Sequence, residues 1–587
     1  MSSHFKPNNS SNQIDQVISV VCNPKYLEGN EDHRDAMGRI AGELADNEEH
    51  RKVILHLLRE QFFLPAGRIQ AAAGAVRQTT AFNCYVSDTI EDSRMGIFQR
   101  LKEAAETMGL GGGDGFDFST IRPRGAIIKS SGSQASGPVS YMRVWDTMCA
   151  TIAAAGNRRG AMMATLDVSH PDIEEFIDAK RTAGELTNFN VSVMITDKFM
   201  EAVKNNEMWD LHFDGVVYKQ VGAKGLWDKI MRSTWAHAEP GVLFIDRINA
   251  KNNLNYCETI RATNPCGEQP LPPNGACLLG SFNLTKYVKL GGTYTEDTYR
   301  APSIALTYRF DYDQLIEDIP PIVRMMDNVI DTTIYPLKAQ EVEAKSKRRM
   351  GLGVTGVANA AEVLGYPYGS PEMIEWMEVV MTSLRDAAYK ASVDIAKEKG
   401  AFPLFDPVKY GGGQFIQTLP PRLQEEIATH GIRNSHLLSI APTGTISLFA
   451  GNVSSGIEPP FSLEYSRRTI MPDGSIKWWN VLDYAYDQWG LKGKTSSELT
   501  AKEHIDVLCA ASRLVDSACS KTCNVGDEVT FNEFKDLYLS AYEGGASGCT
   551  TFRPAAFEGR GAVLKEKEPE GESCVFDPET GERSCAD

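Results

Sequence analysis

A chain of 587 residues with 42% hydrophobic content can bury a large core, which excludes a disordered or fibrous protein. Its 60 basic residues against 77 acidic ones give a net charge of −17, which argues against general affinity for nucleic-acid polymers or anionic membranes. Nucleotides stay open, because a phosphate needs only a local cradle of N–H groups and one or two cations.

No signal-peptide core and no apolar stretch of roughly 18 residues occurs, so a soluble, cytoplasmic protein with no membrane partner is expected. Its 12 cysteines are then mostly free thiols. Residues 1–60 read as a polar lead followed by helix, with apolar side chains at helical spacing from Asp35 to Glu60. Across residues 61–556, short apolar runs such as Val191-Ser192-Val193-Met194-Ile195 and Gly241-Val242-Leu243-Phe244-Ile245 alternate with amphipathic segments such as Met373 to Lys399. That alternation predicts parallel strands with helical crossovers, hence an α/β fold. Leu110-Gly111-Gly112-Gly113-Asp114-Gly115 lacks the dinucleotide-loop register and has no Lys-Ser/Thr, so it predicts a tight turn and no more.

The segment from Arg261 to Leu284 contains Pro265, Pro270, Pro272 and Pro273, which exclude a regular helix. If it is extended, Asn264, Cys266 and Glu268 share one face at about 6 to 7 Å intervals, presenting an amide, a thiol and a carboxylate to one substrate. A Pro/Gly surface loop with a chance cysteine is the alternative. Further on, Pro442-Thr443-Gly444-Thr445-Ile446-Ser447 has the small residues that let backbone N–H groups and hydroxyls approach a phosphate. Cys519 and Cys523 lack two further ligands, so they read as packing residues, and no metal site is expected. Residues 557–587 are charged and poor in large apolar side chains, which predicts a flexible tail. Its two cysteines, Cys574 and Cys585, suggest a redox role.

Asn264-Pro265-Cys266-Gly267-Glu268, followed after eleven positions by Cys277 in Cys277-Leu278-Leu279-Gly280-Ser281-Phe282-Asn283-Leu284, resembles the active-site finger loop of ribonucleotide reductases. The resemblance extends in family order through Phe63-Leu64-Pro65-Ala66-Gly67-Arg68, Phe82-Asn83-Cys84-Tyr85-Val86, Ser136-Gly137-Pro138-Val139-Ser140, Arg348-Arg349-Met350-Gly351-Leu352-Gly353-Val354 and Ala441 to Ser447. It implies a ten-stranded α/β barrel of two five-stranded half-barrels with a central finger loop, preceded by a short helical N-terminal region without a full ATP-cone.

By the same resemblance, Cys266 becomes a thiyl radical that takes hydrogen from C3′ of a ribonucleotide, which calls for a thiol sheltered inside the barrel. Glu268 is implied as general base on the 3′-hydroxyl, and Asn264 as a hydrogen-bonding residue on the 2′ side. Cys84 and Cys277 are implied as the reducing pair, and Cys574 and Cys585 as the relay from a thioredoxin or glutaredoxin-like reductant. Pro442, Thr443, Gly444, Thr445, Ile446 and Ser447 are implied to hold the substrate phosphates. Asp92, Lys129 in the Ala126 to Gly137 loop, and Asn157, Arg158 and Arg159 are implied in binding and reading a deoxynucleotide effector, in a homodimer controlled for specificity without an on/off site.

A reductase fed by a radical-generating subunit is expected to carry adjacent tyrosines where this chain reads Gly548-Cys549-Thr550-Thr551-Phe552-Arg553-Pro554. With no such pair, and with Pro-Cys-Gly-Glu-Gln-Pro-Leu in the finger loop, the chain is similar to class II enzymes, which implies adenosylcobalamin as cofactor. A class I large subunit and a non-catalytic nucleotide-binding sensor of the same descent are the alternatives.

Overall fold

The computed structural model of the chain describes residues 13–152, 160–182, 184–291, 307–470, 475–526, 528–553, 564–566, 574–576 and 583–585. The helical stretch expected up to Glu60 is two helices, His33–Leu44 and Glu48–Arg59, parted at Ala45. Asn47 starts the second one by accepting from the His50 N–H, which satisfies an N-terminal donor that a continuous helix would have bonded internally. The amphipathic segment at Met373 is one helix, Pro371–Lys399, with Ser370 capping the Met373 N–H, Pro371 in the first turn, and Lys397 and Lys399 in the last.

In chain order the strands are β1 (Phe63–Pro65), β2 (Cys84–Val86), β3 (Gly113–Asp117), β4 (Met162–Asp167), β5 (Phe189–Ile195), β6 (Met208–Phe213), β7 (Val216–Gly222), β8 (Gly241–Phe244), β9 (Ala262–Thr263), β10 (Pro270–Leu271) and β11 (Ala276–Cys277). They continue as β12 (Leu279–Asn283), β13 (Val288–Gly291), β14 (Thr307–Phe310), β15 (Gly351–Thr355), β16 (Glu464–Ile470), β17 (Ile476–Leu482), β18 (Thr522–Asn524) and β19 (Gly548–Phe552).

β2, β3, β4, β5 and β8 lie parallel in that order, the pattern the alternating runs predict. β19 joins β8 antiparallel and β18 joins β19 parallel, while β11 joins the other edge against β2. A second ladder runs β1-β12-β15, and isolated parallel bridges tie Leu352 to Leu438 and Ile440 to Cys519. The strand pairing thus falls into separate ladders joined by bridges, where one ten-stranded ring was expected. Asp516 holds the 437–440 segment in place by accepting from the N–H groups of Leu437 (2.7 Å) and Leu438 (2.9 Å) and the Tyr389 hydroxyl (2.7 Å).

Two large apolar clusters pack the outer faces of these ladders against helices, among them Pro138–Thr151 on one and Pro371–Lys399 on the other. A third, small cluster of Ala66, Cys84, Val86, Ala262, Leu271, Cys277, Leu279 and Ala441 lies between the ladders. It carries the β9–β10 hairpin. Backbone meets backbone there: a methyl group on Gly115 of β3 would collide with the Thr263 carbonyl of β9. Gly115→Ala is therefore expected to destabilise the chain by ~1–3 kcal/mol through overpacking. Gly225→Ala, on the exposed face of a helix with no protein atom near the new methyl, is expected to leave stability unchanged or slightly raised. Thermal melts of the two variants check this, and equal melting temperatures would refute it.

Candidate active site

The segment around Cys266 is a hairpin tip, looped where its prolines excluded helix and left extended and looped chain both open. β9 turns into β10 with Thr263 opposite Pro270, and the turn is closed by Gly267 N–H to Asn264 O (3.0 Å) and Asn264 N–H to Gln269 O (3.1 Å). Asn264 Oδ1 also accepts from the Gln269 N–H at 3.0 Å, so side chain and backbone of one residue brace the turn. Gly267 takes φ +83°, in the left-handed region that favours glycine. A proline-rich segment can fold this way because Pro270 pairs at the strand's first position.

The loop is fixed from several directions. Asn190 Nδ2 donates to Pro265 O (2.7 Å), and Ser439 Oγ (2.8 Å) and Ala518 N–H (3.0 Å) both donate to Glu268 O. At its base, Arg261 pairs with Asp117 at 2.8 Å, and the buried carboxylate of Glu258 pairs with Arg349 and, at 2.9 Å, with Lys347. Removing one member of that buried cluster would leave charge unpaired.

Cys266 stands at the tip and is exposed, which corrects the expectation of a sheltered thiol. The tip turn projects past the interior cluster into a cleft, and a methyl group on the adjacent Gly267 would meet no protein atom within 4 Å. Cys84 and Cys277 are buried and sit directly opposite each other in the antiparallel β2–β11 pair. Opposed residues in such a pair have Cα atoms ~4.5–5.5 Å apart, inside the ~4.4–6.8 Å range that a disulfide spans. Gly113 draws the hairpin onto this pair: a Cβ there would lie 3.1 Å from Cys84 Sγ and 3.3 Å from Pro265 Cγ. Asn264 is fully buried, and its Nδ2 lies 4.0 Å from Cys277 Sγ. The amide is thus placed between the tip turn and the thiol pair.

Cys84, Cys266 and Glu268 line one cleft of about 300 Å³, together with Pro442, Thr443, Gly444, Thr445 and Ile446. Asn264, Cys277 and Ser447 stand behind its walls, Ser447 donating to Gly444 O at 3.4 Å. Thr443 adopts φ +48°, and its Oγ1 accepts from the Gly456 N–H (2.8 Å) and bonds Thr355 Oγ1 (3.0 Å), so neighbouring segments impose this sparsely populated conformation. A methyl on Gly444 would meet no protein atom within 4 Å.

The cleft has two lining residues that sequence reasoning missed, Lys25 and Tyr26. They come from a four-residue helix, Asn23–Tyr26, whose sequence signal was the proline in its first turn. Nothing in the spacing linked that turn to the Thr443 loop, over 400 residues away.

Outside the cleft, Asp92 is occupied by Arg122, accepting from Nε at 2.7 Å and from the backbone N–H at 3.2 Å. Lys129 is exposed on a short hairpin in which Ile127 bridges Gln134. Asn157, Arg158 and Arg159 lie outside the described residues. In the C-terminal segment, strands β21 (Cys574–Phe576) and β22 (Arg583–Cys585) follow β20 (Leu564–Glu566), and β21 pairs with β22 so that Cys574 faces Cys585 in register. Cys523 is packed in the core and Cys519 is half-buried. Among the described residues there is no group of three or more His, Cys, Asp or Glu able to hold a metal ion, and no helix long and apolar enough to cross a membrane. A wider trough of about 890 Å³, lined by Arg261, His170, Trp209 and Asp246, contains none of the predicted site residues.

Mild oxidation with a thiol-specific oxidant is expected to link Cys84 to Cys277 with no change in circular dichroism, read by peptide mapping without reductant. Recovery of the two cysteines only in separate peptides would show that their side chains cannot meet.

The chain is similar to known proteins of one family. A family model described as ribonucleotide reductase, barrel domain, matches residues 82–552. A vitamin B12-dependent ribonucleoside-diphosphate reductase of Mycobacterium tuberculosis (strain CDC 1551 / Oshkosh) is 34% identical over 542 residues, 87% of this chain and 73% of that protein. One of the same name from Thermoplasma acidophilum is 34% identical over 499 residues, 80% of this chain and 60% of that protein. A ribonucleoside-diphosphate reductase large subunit of Vaccinia virus is 28% identical over 459 residues, 71% of this chain and 57% of that protein.

Proposed function

Because the chain belongs to the ribonucleotide reductase family, we propose that it reduces ribonucleotides to 2′-deoxyribonucleotides by a thiyl-radical mechanism with adenosylcobalamin as radical source. The observation that carries this reading is that Cys266, on a braced hairpin tip, lines one cleft with Glu268 and with Cys84 of a register-matched pair of buried thiols. The ladders and their bridges support a barrel of two half-barrels with the hairpin as its finger loop.

In this reading the substrate's phosphates lie along Pro442–Ile446 and its ribose reaches Cys266 and Glu268, which face the same cleft. Cys266, as a thiyl radical, takes the hydrogen from C3′. Glu268 accepts the 3′-hydroxyl proton, easing departure of the 2′-hydroxyl as water. Cys84 and Cys277 give up two electrons and two protons, one to the departing water and one to C2′, and close to a disulfide; Glu268 returns its proton to O3′, and the hydrogen held by Cys266 returns to C3′. One turnover thus converts a ribonucleotide and two thiols into a deoxyribonucleotide, water and a disulfide. The in-register Cys574 and Cys585 support a dithiol relay that reopens this disulfide by exchange, fed by a thioredoxin or glutaredoxin-like reductant.

The vitamin B12-dependent relatives point to the cofactor, and the tip fits it: Cys266 is exposed and no protein atom lies within 4 Å of a methyl on Gly267, so a corrinoid would have room beside them. When bound, adenosylcobalamin supplies a radical by cobalt–carbon homolysis. The Thr550–Thr551–Phe552 stretch of β19, without adjacent tyrosines, favours this source over a separate radical-generating subunit. Exposure of Met95, Phe98 and Val144 on helices Arg94–Gly109 and Pro138–Thr151 supports a homodimer, and a deoxynucleotide effector is assigned to Asp92, two residues before the first of these helices, and to the exposed Lys129.

Incubation of the purified chain with adenosylcobalamin, a ribonucleoside diphosphate and a dithiol is expected to give deoxynucleotide, with none formed when the corrinoid is left out. Cys266→Ser should lower the rate at least about 10³-fold while leaving nucleotide affinity unchanged. Activity that requires an added metal-containing subunit, or that survives Cys266→Ser, would overturn the reading.

A further inference from the structure

The two edges of the β16–β17 hairpin are closed by opposite ends of the chain. On the β17 side, the Gln13 N–H donates to Asn480 O (2.9 Å) and Gln13 Oε1 accepts from the Asn480 N–H (3.0 Å). On the β16 side the cover is β20, paired antiparallel with Tyr465 opposite Glu566, Ser466 opposite Lys565 and Arg467 opposite Leu564. Without that strand, β16 would present a row of unpaired N–H and C=O groups, the kind of edge onto which an extended segment adds by main-chain hydrogen bonds.

The register gives the C-terminal segment a direction. The β16–β17 hairpin turns between Ile470 and Ile476, so its open end is at Glu464 and Leu482. β20 runs from the position of Arg467 to that of Tyr465, toward the open end. That end is seated on the body of the protein: Leu463 O accepts from the Asp483 N–H (2.9 Å), and Tyr465 Oη donates to Asn452 Oδ1 (2.9 Å). Tyr465, Trp479 and Val481 share one apolar cluster with Tyr26 and Ile446, which line the cleft that holds Cys84 and Cys266. Charge favours the same placement. β16 and β17 carry Arg467, Arg468 and Lys477 against Glu464, and the chain from Glu566 to Glu572 carries four glutamates against one lysine.

We propose that the β16 edge is the docking strip for the chain's own C-terminal segment, and that pairing with β20 sets the length of the arm that carries Cys574 and Cys585 to the Cys84–Cys277 disulfide. The proposal rests on the reading of those two cysteines as a relay. The chain is held once before β20, at the end of β19, where the Arg553 guanidinium lies 4.2 Å from the centroid of the Trp235 ring. From Arg553 to Cys574 is 21 residues, at most about 70–76 Å of chain, whereas from Glu566 it is 8 residues, at most about 26–29 Å. The effective concentration of a group on a free arm falls roughly as the −3/2 power of the arm's length, so a hold at Glu566 raises it about fourfold over a hold at Arg553 alone. In the exchange itself, the Cys574 thiolate attacks one sulfur of the Cys84–Cys277 disulfide, and the other sulfur leaves as a thiolate and takes up a proton. The Cys585 thiolate then attacks Cys574, closing the Cys574–Cys585 disulfide and releasing the second interior thiol. Two electrons and two protons pass to the interior pair, and an external dithiol reopens the disulfide left behind.

Two measurements on the full chain, without corrinoid or nucleotide, test this. Paired residues in an antiparallel ladder alternate between exchanging hydrogen bonds and not, so Lys565→Pro/Glu566→Pro removes a ladder N–H in either phase. Hydrogen exchange should find the β16 amides that face β20 protected in wild type and unprotected in this double variant, while Lys567→Pro, beyond the paired residues, keeps the protection. In a Cys585→Ser chain whose Cys84–Cys277 pair has been oxidised, attack by Cys574 stops at a mixed disulfide. Peptide mapping after acid quench and alkylation should find that species forming roughly fourfold more slowly, or slower still, once the two prolines are added. Unprotected β16 amides in wild type, or a mixed disulfide formed equally fast with and without the prolines, would overturn the proposal and leave the relay standing. A mixed disulfide in neither chain would sink the relay and this inference with it.

Discussion

The close approach of one backbone to another organises this molecule. β3 presents Gly113 and Gly115 toward the β9–β10 hairpin; a side chain at Gly115 would strike the Thr263 carbonyl, and one at Gly113 would crowd Cys84 and Pro265. Because only hydrogen fits at Gly115, the hairpin backbone lies against β3 at a separation set by main-chain atoms and not by adjustable side chains. That contact places the tip turn beside Cys84, and the β2–β11 pairing then brings Cys277 opposite Cys84. Three thiols from segments almost 200 residues apart in sequence are thus gathered by backbone geometry.

Charge completes what packing begins. The buried Glu258–Arg349–Lys347 cluster and the Arg261–Asp117 pair hold the two ends of the segment leading into the hairpin. Buried ion pairs of this kind add little net stability, but breaking one is expensive, so they favour a single arrangement of the loop over its alternatives. The tip itself is left outside this network. Cys266 is exposed beside an unpacked Gly267, a rigidly mounted thiol with open space next to it. A thiol meant only for packing would have been enclosed like Cys523.

Much of this was legible before any coordinates. The runs at Val191 and Gly241 became β5 and β8 because apolar stretches bounded by turn residues have few other ways to be buried in an α/β fold. The helix at Met373 was announced by its cap, its proline and its terminal lysines. Motif spacing pointed to Cys84, Cys266, Glu268 and the Thr443 loop, which do line one cleft. What stayed open was local geometry: prolines exclude helix but do not choose between an extended run and a tight hairpin, and that choice was made by Asn264 bonding across its own turn. Lys25 and Tyr26 could not be found from the sequence, because their place depends on Cys22 meeting Thr445, a contact with no periodicity and no motif.

The account turns on hydrogen transfer between Cys266 and the sugar, and the most direct measurement replaces the hydrogen at C3′ of the substrate with deuterium and compares kcat/KM under otherwise identical turnover. The account predicts a slower reaction with the deuterated nucleotide, since the C3′ bond is broken on the way to product. Identical rates for the two nucleotides, in an assay shown to be limited by the steps up to reduction, would contradict it.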